Sequence, residues 1–166
     1  NLCLSACVCL SSMELVQRIK WRFVSERTIT SEDSYAIISL YKYVKRVAVL
    51  CEPLYFYCKN FESPTKVYRA DRFKKIKHFY YECRKMAEQL GFNEEVHNRI
   101  SGLFLSFSIA AMKLIGSADL DVNDKKKYLA QIVDDDDIQN VLKNIDCRSM
   151  SEGRKILFWA VRNKKY

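Results

Sequence analysis

The sequence predicts a mainly α-helical chain with a small α/β portion at its start, and three observations carry this prediction. The 166 residues, 49% of them hydrophobic, suffice for one substantial core, or one core with a small appendage. The pattern changes near Pro64, from short β-rich runs mixed with helix to apolar residues at three- and four-residue steps. Only 4 Gly and 2 Pro stand against 29% charged residues, which excludes a linker, a collagen-like chain or a disordered tail.

The elements follow in order. The apolar stretch 1–10 reads as a buried strand, with Cys7 and Cys9 on one face; it is too short to span a bilayer and lacks the basic start of a signal peptide. Because the chain begins at Asn1 inside this run, it reads as part of a longer protein. Ser11 and Glu14 have the spacing of a capping box, and Met13, Leu15, Val16 and Ile19 continue at a helical period. Trp21 and Phe23 alternate with polar residues as in a short strand. Thr30 or Ser31 can cap a helix running to about Val44. Runs 46–50 and 54–58 are β-rich, with a turn at Cys51, Glu52 and Pro53, where the missing proline N–H costs no ladder bond.

Beyond Pro64, residues 70–90 place Phe73, Ile76, Tyr80, Cys83, Ala87 and Leu90 on one helical face, and Gly91 is a natural stop. Asn93, followed by Glu94 and Glu95, caps a helix reaching about Ile115. Shorter helices fit 125–133, 138–145 and 152–162, the last capped by Ser151. The expected division is 1–68, mixed in character, and 69–166, a bundle of four or five helices.

Lys and Arg total 28 against 20 Asp and Glu, giving a net charge of +8 and a preference for anionic partners. No helix-turn-helix, zinc-finger or ribonucleoprotein signature is present, so nucleic acid is not the expected partner. The basic pairs and runs at Lys74 and Lys75, Lys125 to Lys127, and Lys164 and Lys165, taken with Phe158 and Trp159, suggest peripheral membrane contact. Seven scattered cysteines, without a CxxC spacing, fit a reducing cytosol. His78 and His97 have no ligand at helical spacing and read as surface or boundary residues. Asp119 and Asp121 spell a metal-binding pattern, but within a helical connection they read as loop and cap; Asp134 to Asp137 read as the solvated acidic start of a helix.

The most informative segment is 21–65. Its Phe23, the Ser31, Glu32 and Asp33 opening of a helix, the Val47 to Leu50 run, and Pro53 to Tyr57 followed by Ser63, Pro64 and Thr65 occur in a fixed order. In that order they resemble the acceptor-side half of family-2 nucleotide-sugar glycosyltransferases, over roughly the first two fifths of the chain. The resemblance implies a partial GT-A-like core segment followed by a helical C-terminal domain, from a bacterial, inverting enzyme of cell-surface polysaccharide or glycoconjugate synthesis. It places the protein in the cytoplasm, at the inner face of the membrane, with a nucleotide-sugar donor and a glycan or lipid-linked acceptor as partners. Asp33 would be the general base, and Glu32, Tyr55, Tyr57 and Lys59 would bind substrate.

The chemistry asked of Asp33 can be stated on its own terms. Inverting transfer requires a base to take the acceptor hydroxyl proton as that oxygen attacks the anomeric carbon. A helix N-terminus keeps such a carboxylate ionised but makes it a weaker base, so positioning must supply much of the rate. Two departures stand out. Cys58 follows Tyr57 where relatives often have a basic residue, with Lys59 only after it, and no Asp-x-Asp precedes Glu32. The donor and its divalent metal, manganese or magnesium, are therefore assigned to a preceding half, and the fragment alone is expected to be inactive. The competing reading is a non-enzymatic, basic helical module that binds protein or nucleic acid, with Glu32 and Asp33 merely favouring a helix start.

Overall fold

The computed structural model describes residues 6–56, 58, 67–145 and 152–164. A 3-10 turn at Ala6–Val8 is followed by seven α-helices among these residues: α1 (Met13–Arg18), α2 (Glu32–Tyr41), α3 (Arg72–Gln89), α4 (Glu94–Ser117), α5 (Val122–Val133), α6 (Asp136–Asn144) and α7 (Glu152–Arg162). No strand occurs among the described residues.

The β expectations therefore do not hold where they can be compared. Part of the opening run is a 3-10 turn, with Cys7 exposed rather than buried in a strand. Residues 21–25 and 44–51 lack regular structure, as do 53–56. A strand exists only through ladder bonds to a neighbour, and alternating side chains cannot supply one. The helix expectations fare better because α-helical hydrogen bonds are local. In α1 it is Ser12 rather than Ser11 that caps, accepting from the Leu15 amide at 3.4 Å.

Helix α3 begins two residues later than expected and ends before Gly91, whose φ of +63° costs least for a residue without a Cβ. Asn93 caps α4 by accepting from the Val96 amide at 3.3 Å, and α4 continues through Gly116 to Ser117. Asp121 caps α5, its Oδ1 accepting from the amides of Asn123 at 2.7 Å and Asp124 at 3.0 Å. The bounds of α7 coincide with the sequence expectation, whereas Ser151, its expected cap, lies outside the described residues.

Helix α4 is the centre of the packing, touching α3, α5 and α6. Phe104, fully buried, lies between Tyr80, stacked at 4.3 Å between ring centroids, and Phe73 at 6.5 Å. Ile76, Phe79, Cys83 and Ala87 of α3, Ile132 and Val133 of α5, Ile138 and Leu142 of α6, and Phe158 and Val161 of α7 complete one cluster. Ser108 sits in this core with its polar group satisfied, the hydroxyl donating back to the Phe104 carbonyl at 2.8 Å. By length and composition α4 would reach across a membrane, but its buried stripe, Ile100, Phe104, Leu105, Ala111 and Ile115, is part of the same cluster. Ile29, from the connection before α2, is 2% exposed and belongs to this core too.

Candidate functional site

Glu32 and Asp33 open α2, as the sequence expects, and both are half-buried. Ser31 precedes them in the left-handed region, at φ 51° and ψ 49°, and its side chain makes no capping bond. For a residue with a Cβ this conformation costs about 1–2 kcal/mol, so the turn that delivers the two carboxylates is held by its surroundings rather than by local preference. Part of that hold is Ile29 in the core, and part is Trp21, whose indole N–H donates to the Ala36 carbonyl and to Ser39 Oγ, each at 3.1 Å. Asp33 Oδ1 accepts from the Ser34 amide at 2.7 Å, whereas Oδ2 takes no hydrogen bond among the described residues.

Tyr55 lies in the irregular segment beyond the far end of α2 and is half exposed. Tyr57 and Lys59 lie outside the described residues. Glu32 and Asp33 are thus brought together by one helical turn, and no ladder carries Tyr55 to them among the described residues. The surroundings of Tyr55 are strongly apolar and open: Val49, Leu50, Leu54 and Phe56 are 74, 70, 72 and 88% exposed. Soluble surfaces rarely leave such a run uncovered without an interaction to satisfy it.

The acidic run 134–137 is a helix start, as the sequence expects, with Asp134 and Asp136 exposed, but Asp135 and Asp137 are drawn out of solvent. Asp135 Oδ1 caps α6, accepting from the Asp137 amide at 3.1 Å and the Ile138 amide at 3.3 Å, while Oδ2 receives Lys77 Nζ of α3 at 2.6 Å. Lys77 also reaches Asp137 at 2.8 Å, and the Tyr81 hydroxyl donates to the same carboxylate. Burial works against the charge on Lys77, but its hydrogen bonds to Asp135 and Asp137 outweigh it and raise the pKa. Burial likewise pushes Asp137 up, and hydrogen bonds from Lys77 and Tyr81 bring it below the ordinary value. This cluster fastens α3 to α6 across a separation of 58 residues, which no local spacing could have signalled. Among the described residues no group of three His, Cys, Asp or Glu side chains is arranged to hold a metal ion.

Of the aromatic pair expected at a membrane, Phe158 is in the core, while Trp159 and Ile156 are exposed on α7. His78 is exposed and His97 partly buried. Comparison of the chain with protein-family models, with curated proteins and with solved structures returns no match.

Proposed function

We propose that this chain is the acceptor-side, C-terminal part of an inverting family-2 nucleotide-sugar glycosyltransferase of cell-surface glycan synthesis. The observation that carries the reading is the open apolar run 47–56, which follows the helix bearing Glu32 and Asp33 after the short connection 42–46. A segment of that composition is suited to a sheet, and the reading supplies the missing neighbours as strands of a preceding donor-binding half. Asp33 Oδ2 then receives the acceptor hydroxyl proton, Glu32 orients the acceptor, and the donor half holds the nucleotide diphosphate with its divalent metal. The cytoplasmic face of a membrane, met by Trp159 and neighbouring basic residues, is the setting this enzyme class would use.

The test is made in the complete enzyme that this reading requires, with a donor-binding half joined to these residues. Asp33→Asn keeps size and much of the hydrogen bonding but cannot accept the proton, so turnover should fall by about 10²- to 10⁴-fold while donor affinity holds. Near-normal turnover in a folded variant refutes the role of Asp33. An initiation codon immediately before Asn1 overturns the whole reading. The second reading, a basic helical binding module without catalysis, draws on the single core that α3 to α7 form with Ile29 and would then stand.

A further inference from the structure

A cavity of about 360 Å³ opens between the α1–α2 region and α3, within the size range of small-ligand clefts. Its lining includes Trp21, Tyr43, Lys42, Glu82, Lys85 and Gln89. We propose that this cavity is a saccharide subsite, taking one pyranose unit of a glycan.

The chemistry of the lining selects that class. A pyranose ring presents C–H groups on its faces and hydroxyls around its rim. The first fit the electron-rich face of an aromatic ring, and the second need donors and acceptors side by side. Trp21 and Tyr43 supply the aromatic walls. Trp21 is held in place: its N–H is committed to Ala36 and Ser39, and Phe23 packs on it at 4.7 Å between ring centroids. At the rim Lys42 and Lys85 are donors only, Glu82 is an acceptor and Gln89 is both. Lys42 leans over the Tyr43 ring at 5.8 Å, and among the described residues neither lysine has a carboxylate partner. Glu82 accepts from the Tyr35 hydroxyl at 3.4 Å, which uses one oxygen and leaves the other for a ligand.

The cavity does not coincide with the proposed transfer site. At 3.6 residues per turn, Asp33 lies about 200° around α2 from Tyr35, which lines the cavity. The bound unit would therefore be a distal one of the acceptor, making the substrate an oligosaccharide rather than a single sugar. That last step rests on the transferase reading; the binding of a sugar does not.

Trp21 is its own reporter once the exposed Trp159 is replaced by Phe, leaving a single indole in the chain. Glucose, N-acetylglucosamine and glucuronate are titrated into this variant, with inorganic phosphate as the control. At least one sugar should give a saturable emission change at concentrations on the order of millimolar. Adding Glu82→Gln and Lys85→Gln together should weaken it at least about tenfold, with circular dichroism confirming an unchanged helix content. A flat response to all three sugars, an affinity indifferent to both substitutions in the folded variant, or an equal response to phosphate would overturn the proposal. Saturable binding here with an Asp33→Asn enzyme of normal turnover removes only the acceptor role. Absent binding with an Asp33-dependent enzyme removes the subsite alone.

Discussion

Replacing Lys77 by Met removes one ammonium group while keeping most of the stem, and it takes from Asp135 and Asp137 the cation they share, leaving Asp137 the weaker field of Arg84. The side chains of Lys77, Asp135 and Asp137 are 28, 13 and 27% exposed, so the cluster lies between two regimes. Exposed pairs contribute about 0.2–1 kcal/mol, and breaking a buried pair costs about 3–5 kcal/mol. With screening by the solvent that still reaches the group, a loss of about 2 kcal/mol is expected, or roughly 4–8 °C in Tm for a chain of this size. Urea denaturation at pH 7 measures it. The pH dependence is the sharper test. Asp137 is held below its ordinary pKa, so its stabilisation is complete above the unfolded value near pH 3.9 and is lost as pH falls through the folded value. Lys77 is raised, so its stabilisation is complete below about pH 10.4 and is lost as pH rises through the folded value. The gap between the parent and Lys77→Met should therefore be full between about pH 5 and 9 and shrink in acid, as the carboxylates protonate. A loss under about 0.5 kcal/mol at pH 7, or an equal loss at pH 7 and pH 3, refutes the account of this cluster.

Three further outcomes follow from the packing and the exposed run. Phe104→Ala should cost about 3–5 kcal/mol in the same denaturation assay, because the ring is fully buried against Tyr80 and Phe73; a loss below about 1 kcal/mol would deny it that place. Burial, with Glu82 adding to it, pushes the Cys83 thiol up to about 12, so at pH 8 it should resist thiol reagents until denaturant is added, while exposed Cys51 and Cys58 react at once; mass spectrometry of the modified chain distinguishes them. Leu54→Ser and Phe56→Ser should each change the stability of this chain by less than about 0.5 kcal/mol in the same denaturation assay; a large loss of stability would mean that the run is already covered.

Most of the helical architecture is legible in the sequence because its determinants are local. The face from Phe73 to Ala87, the stop at Gly91 and the caps at Asn93 and Asp121 each act within a turn or two of their own residue. Other features depend on partners distant in sequence. The β-rich runs at 46–50 and 54–58 specify which side chains would alternate, not what they would pair with, and no ladder forms within the described residues. Asp135 and Asp137 look like a solvated helix start until Lys77 arrives from another helix. At the candidate site the start of α2 at Glu32 can be read from Ser31 and the acidic first turn, but the left-handed backbone of Ser31 cannot. Trp21 reads as an alternating strand residue, whereas its N–H in fact ties the preceding segment to α2.

Ile29 stands three residues ahead of Glu32, yet it is lodged in the same core as Phe104 and Ile138. The aim of the acidic turn is thereby inherited from the helical tail, as a gunsight inherits its alignment from the mount. A mutational scan of any activity centred on Glu32 and Asp33 would consequently light up residues of α3 to α6 that never approach a substrate. Trimming the tail to isolate a smaller unit would blur the turn before it unfolded the helix that bears it.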